Sequence, residues 1–398
     1  MLRILTREKY RDLILFAALL GFGGVLVLYP TQSMEAGRRG LELCANVIVP
    51  SLFPFFVLSS MVIELGMARY LDRLLEGLMW PLFRVGGAGA SALVLGFVGG
   101  YPVGARTAIN LYEKGLCSKT ETQRLLAFCN NSGPAFIFGV VGAGVFDSGK
   151  IALVLYLAHV AACLCVGLLF RFYHGNHAPT SAAHRCSPQF HTAHFSQAFT
   201  TSVKNALSSV LNICAFVLFF TVFIRLLFLC GAMDLSAQFL SAVLSPLHLS
   251  YGQVQQLLTG FLELSSGVTA LSGSGVLSGR ISMAAFMLGW AGLSVHCQVL
   301  SFLSSSGLSA GTYLAGKALH GVLSAVFTAL LSHIFPLSHP VSSYITQQTE
   351  TLITLDAGSA LTLSIVAAWL LWLGFLALSV YAVKHSKKRC GKRRGYAL

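Results

Sequence analysis

Apolar residues run in blocks longer than a soluble core helix needs, and the blocks are interrupted by short polar or Gly/Pro clusters. Residues 13–28, LILFAALLGFGGVLVL, carry no charge and follow Arg3, Arg7, Lys9 and Arg11. With Tyr29 and Pro30 they predict a first transmembrane helix, since a span takes ~17–25 residues. A cleaved signal peptide is the rival reading of this segment, but no A-x-A-like site follows and the chain stays apolar. The last apolar stretch, 357–383, predicts a final span. Residues 68–83 alternate charge with apolar positions and predict an interfacial amphipathic helix.

Between these spans the pattern repeats. Gly66 pairs with Gly231, and Pro81-Leu82 with Pro246-Leu247, at an offset of 165 residues. Gly96-Phe97 then pairs with Gly260-Phe261 at 164, Ser132 with Ser294 at 162, and His159 with His320 at 161. Five matches in order, with a drift that small loop deletions produce, predict a duplicated unit of roughly 130 residues. The linker between the copies carries Arg171, Arg185 and Lys204, whereas residues 336–356 carry Glu350 and Asp356 but no Lys or Arg. That asymmetry predicts an inside linker, an outside distal loop and copies of opposite orientation, with Arg38 and Arg39 on the outer side counting against it.

Inverted repeats with interrupted helices are a transporter architecture, with the solute held near the midplane where the breaks meet. The breaks here come in two pairs: GGYPVGAR (residues 99–106) with LELSSGVT (residues 262–269), and NNSGP (residues 130–134) with LSVHCQ (residues 293–298). Pro removes a backbone donor and Gly loosens the chain, so each break frees polar groups that need partners in an apolar surround. The candidate solute-binding residues are Gly99, Gly100, Tyr101, Pro102, Gly104 and Arg106 in the first break and Asn130, Asn131, Ser132, Gly133 and Pro134 in the second. Ser265, Ser266, Thr269 and Ser294 complete the set from the second copy. Small residues at such places also serve close helix packing, and Arg106 can snorkel to the interface instead of binding a carboxylate. Glu263, an acid among apolar neighbours, and His296 are the candidates for coupling or proton handling. His159 and His320 read as structural partners on packed helices.

Composition agrees with a polytopic membrane protein: 55% of the residues are hydrophobic and 10% charged. Of the net charge of +13, seven Lys and Arg lie between Lys384 and Arg394. This juxtamembrane cluster marks a cytoplasmic end and can hold anionic lipid; it does not mark a nucleic-acid partner. The ten cysteines include no C-x-x-C pair and read as small core residues. His174, His177, His184, His191 and His194 with Cys186 crowd one polar stretch, but their spacing fits no usual ligand pattern, so no metal and no cofactor are expected. Walker A and H-E-x-x-H motifs are absent and no paired carboxylates fall at membrane depth, so neither ATP hydrolysis nor enzyme catalysis is expected.

PSLFPFFVLSSMVIELGM, PLFRVGGAGASALVLGFVGGYPVGAR, FCNNSGPAFIFGVVGAG and GWAGLSVHCQV resemble the sporulation integral membrane proteins of YlbJ type, over about residues 35–335. The resemblance implies repeats similar to the nucleoside-transporter gate domain. It further implies a protein of the outer forespore membrane that moves dipicolinic acid, a flat pyridine dicarboxylate, toward the forespore. A nucleoside or nucleobase carrier and a non-transporting scaffold for spore assembly are the alternatives, and a homo-oligomer is left open.

The expected architecture is an all-α polytopic membrane protein. Residues 1–40 hold the basic N-terminus and first transmembrane helix, 41–172 the first gate-like repeat, 173–202 a polar His-rich linker and 203–335 the second repeat. Residues 336–383 then form an outside loop and last transmembrane helix, and 384–398 the basic cytoplasmic tail.

Overall fold

A computed structural model describes residues 2–65, 68–174, 195–273, 276–304, 306–335 and 369, and every regular element among them is helical. Helix α1 (Leu2–Leu28) exposes Leu13, Ile14, Leu19 and Leu20, as a lipid-facing helix does. Pro30, which has no N–H to satisfy, opens α2 (Pro30–Leu43), and the two helical directions differ by 97°. A π-helical turn, Cys44–Ile48, leads into α3 (Val49–Glu64). Next comes α4 (Ala68–Phe83), which covers the stretch expected to be amphipathic. A second bend of 93° and a short 3₁₀ turn at Gly87–Gly89 then lead to α5 (Ala90–Gly99).

The chain reverses at Gly100 into α6 (Val103–Glu113), and α7 (Lys119–Phe128) follows. Helix α7 starts at a capping box in which Ser118 Oγ accepts from Glu121 N–H and Glu121 returns to Ser118 N–H. After an open segment at 129–133 the chain resumes as a π-helix, Ala135–Val145, and then as α8 (Gly149–Phe170). The 35-residue α9 (Phe195–Leu229) carries it to the second copy: α10 (Ala232–Val243), α11 (Tyr251–Leu262), α12 (Leu264–Thr269), α13 (Leu277–Trp290), α14 (Gly292–Ser304) and α15 (Ala310–Ile334).

The copies match element by element. A hairpin (α5–α6 or α11–α12) is followed by a broken helix (α7 with the π-helix, or α13 with α14) and by a long straight helix (α8 or α15). Ser148 caps α8 and Ser309 caps α15, 161 residues apart, the offset that also separates His159 from His320. Helices α8, α9, the α13–α14 pair and α15 are long and apolar enough to cross a membrane. The two bent pairs raise that number to as many as six among the described residues.

Helix α15 packs along both α13 and α8, while α3 pairs with α9 and α2 lies against α9. The two large apolar cores therefore belong to the hairpins and broken helices, whereas α2, α3 and α9 form a separate layer beside them. Gly66, the stretch 175–194 with His177, His184, Cys186, His191 and His194, the distal loop, the basic tail and the last predicted span apart from Trp369 lie outside the described residues.

Candidate functional site

All four sequence breaks meet at one cavity. It encloses about 640 Å³ of non-atom space, part of it open to the exterior. The α5–α6 turn contributes Gly99, Gly100 and Tyr101, and the α7 break contributes Ser132 and Gly133. The α11–α12 turn adds Glu263 and Ser265, and the start of α14 adds Ser294. The remaining wall is apolar, with Ile48, Leu52 and Phe56 from the α2–α3 segment and Ile213 and Val217 from α9. One side of the cavity is thus a set of polar turns and half-helix ends, and the other a smooth hydrocarbon face.

Backbone chemistry explains how the turns come so close. Gly100 takes φ 70, a conformation open to glycine at no steric cost, and its α-carbon packs on Gly133. Gly96 and Gly104 clasp the Cys129 carbonyl from both sides of the hairpin, so closely that a side chain at either would collide with that oxygen. Gly104 therefore seats the hairpin on the broken helix and does not line the cavity. In the second copy the interruption falls at Ala291 and Gly292, both with positive φ (80 and 82), one residue before LSVHCQ. That segment forms the first turns of α14, so Ser294 lies near the start of a half-helix.

The amides of the first break lie behind the cavity wall and knit the repeats together. Asn130 and Asn131 are both fully buried. Asn130 Nδ2 reaches Tyr313 Oη at 3.4 Å, and that hydroxyl pairs with His296 Nδ1 at 2.9 Å. The Asn130 carbonyl accepts from Lys317 Nζ at 2.9 Å. Asn131 Nδ2 donates to the Phe128 carbonyl at 3.0 Å, which helps satisfy the open end of α7. Ser132 N–H donates to His159 Nε2 at 3.1 Å, and His320 Nε2 bonds the His159 carbonyl at 3.0 Å, the two rings lying 4.3 Å apart. One chain of polar contacts thus runs from α15 through α8 to the break.

Glu263, 2% exposed, spans the joint between α11 and α12. Its two carboxylate oxygens accept from Ser265 N–H at 2.9 Å and Ser266 N–H at 2.6 Å, which caps the first amides of α12. Tyr101 donates through its hydroxyl to the Leu288 carbonyl, which closes the hairpin onto α13. Pro102 is buried, Pro134 half-buried, and Thr269 and Arg106 are exposed, with the Arg106 guanidinium 5.7 Å from the Phe302 ring centroid. None of these four lines the cavity, nor do Ser266, Asn130, Asn131 and His296.

The structure adds three polar residues to those the sequence singles out. Gln298 lines the cavity with its Oε1 unbonded within the protein, as is Ser132 Oγ. Gln298 sits four residues after Ser294, hence on the same face of α14. Tyr313 and Lys317 bind the first break from α15. A lysine inside the apolar run AGTYLAGKALHGVL was the available signal, because ionisable groups in transmembrane helices are costly and generally functional. No cluster of metal-ligating side chains occurs among the described residues.

Two matched repeats whose hairpin turns and broken helices enclose one cavity define a transporter-like integral membrane protein with a nucleoside-transporter gate fold. The Gate family, described as nucleoside recognition, matches residues 45–180. The sporulation integral membrane protein YlbJ of Bacillus subtilis (strain 168) is 31% identical over 340 residues, which cover 81% of this chain and 83% of that one. The chain belongs to the YlbJ family of sporulation integral membrane proteins. Among solved structures, a variant of CNTnw in its intermediate 2 state superposes with a TM-score of 0.53 at 14% identity, covering 81% of this chain and 85% of that one. Another, in the intermediate 3 state, gives 0.50 at 15% identity over 83% and 87%. These likenesses concern the fold.

Proposed function

We propose that the chain carries a small flat anion across the membrane during sporulation, and that the solute is dipicolinic acid, moved across the outer forespore membrane. The observation that carries the reading is the convergence of four backbone breaks from two repeats on one cavity. Such an arrangement costs helix hydrogen bonds inside an apolar protein and brings half-helix ends to a solute in return. Amide and hydroxyl groups from Ser132, Ser265, Ser294 and Gln298 suit a ring bearing two carboxylates. Glu263 lines the same cavity, and its two oxygens are held by α12 amides, which leaves the hydroxyl and amide donors of the other turns to bind the anion.

The apolar face from α3 and α9 suits the opposite, ring side of such a solute. It also offers a surface along which the polar turns can shift without leaving buried groups unpaired, as alternation between the two sides of a membrane requires. The family resemblance motivates the choice of solute, and the hydroxyl and amide groups of the cavity lining support its polarity.

A nucleoside or nucleobase is the second reading, favoured by the Gate match and by the fold shared with CNTnw. Liposomes holding the purified protein separate the two. Uptake of labelled dipicolinate, with a nucleoside giving no uptake and no competition, is the expected result. Nucleoside uptake in its place would overturn the choice of solute, and uptake of neither by folded protein would favour a scaffold.

A further inference from the structure

We propose that Lys317 is the resident cation of the transport site: its ammonium occupies, at the break after α7, the place that a dissolved coupling cation takes in other broken-helix carriers. The inference builds on the transport reading and adds what supplies the positive charge.

Lys317 lies on α15 and is completely buried, yet among the described residues its ammonium pairs with no carboxylate. A charge inside a membrane protein costs at least ~2.5 kcal/mol, so an unpaired one is retained for a reason. Its Nζ donates at 2.9 Å to the carbonyl of Asn130, two residues past the end of α7, where the half-helix leaves its carbonyls and the negative end of its dipole. A second acceptor, His320 Nδ1, lies at 3.5 Å, and the Tyr101 ring centroid at 5.1 Å. Unwound carbonyls at a half-helix C-terminus are what coordinates Na⁺ in carriers built on discontinuous helices. Here the ligand set is filled by a tethered ammonium.

The titratable groups around Lys317 are Cys129 at the end of α7, Cys163 and His159 on α8, His296 on α14, His320 on its own helix and Tyr101 at the hairpin turn, and none is a carboxylic acid. Tyr101 lines the cavity, so the ammonium stands one side-chain layer behind the solute. From there it attracts an anion without contacting it and braces the Asn130–Ser132 wall against which the anion rests. If packing of the stem alone braced the wall, an uncharged side chain that keeps the stem would serve as well.

The test uses full-length protein in detergent and in liposomes. Wild type should unfold at the same temperature in chloride salts of sodium, potassium and N-methylglucamine, and dipicolinate uptake should not depend on external Na⁺. Lys317→Met, which keeps the stem through the ε position but removes the ammonium, should lose about tenfold or more in uptake, the equivalent of one charged hydrogen bond. Lys317→Ala should be lower still, and propylammonium, which restores the deleted atoms, should raise both its unfolding temperature and its uptake, whereas tetramethylammonium should not. Stabilisation of wild type by Na⁺, Na⁺-dependent uptake, or wild-type uptake by Lys317→Met would each overturn the proposal. If wild type carries no dipicolinate at all, the transport reading falls; the salt and propylammonium unfolding curves still decide the role of Lys317.

Discussion

Replacing His159 with leucine tests whether the first break is held in its open form by the polar chain behind it. Ser132 N–H lies outside any helix and donates to His159 Nε2 at 3.1 Å, and both residues are buried. Leucine fills most of the space but accepts nothing, which strands a buried amide at ~1–3 kcal/mol. The ring contact with His320, 4.3 Å between centroids, adds ~0.5–1.5 kcal/mol. Interhelical hydrogen bonds in membrane proteins average only ~0.6 kcal/mol, because the displaced group usually finds another partner. The Ser132 amide has no helical carbonyl to turn to, so the upper part of the range applies and the expected loss is about 2–3 kcal/mol. Reversible unfolding in mixed micelles measures it. His159→Gln, which keeps an acceptor, should lose less than half as much, and its uptake should fall less than that of His159→Leu. Leucine at no cost, or glutamine as damaging as leucine, would refute the reasoning.

Other residues give sharper local tests. Gly104→Val drives a side chain into the Cys129 carbonyl; it should cost ~1–3 kcal/mol in unfolding assays and abolish uptake, because the hairpin can no longer seat. Tyr313→Phe removes the hydroxyl between Asn130 and His296, with an expected loss of about 0.6–1.7 kcal/mol and a weaker apparent affinity for solute. Glu263→Gln should weaken the cap on α12 by about 1 kcal/mol in the same unfolding assay, because an uncharged amide offers the helix start one oxygen acceptor where the carboxylate offers two.

Much of this site is visible in the sequence because its chemistry contradicts its surroundings. Pro, Gly and paired amides inside apolar runs announce broken helices, and Ser132, Ser265, Ser294 and the Gly99–Tyr101 turn all reach the cavity. The second-copy interruption is fainter: Ala291 and Gly292 carry the reversal, and only one glycine and no proline signal it. Glu263 stands out as an acid at membrane depth, and an acid just ahead of Ser265 and Ser266 also fits a helix cap, a local pattern that names its hydrogen bonds. Lys317 hides in an unbroken helix, away from the interruptions that draw the eye. The apolar wall leaves no local trace, because Leu52 and Val217 look like any lipid-facing residues until α3 and α9 are brought together.

The central claim is that breaks from both repeats line a single solute site. Rates of thiol modification by a small charged reagent at Ser132→Cys, Ser265→Cys, Ser294→Cys and Thr269→Cys, read peptide by peptide with and without dipicolinate, test it most directly. Slowing by the solute at positions 132, 265 and 294 together, with none at the exposed position 269, is the predicted result. Protection of one repeat only, or of none, would contradict a shared site.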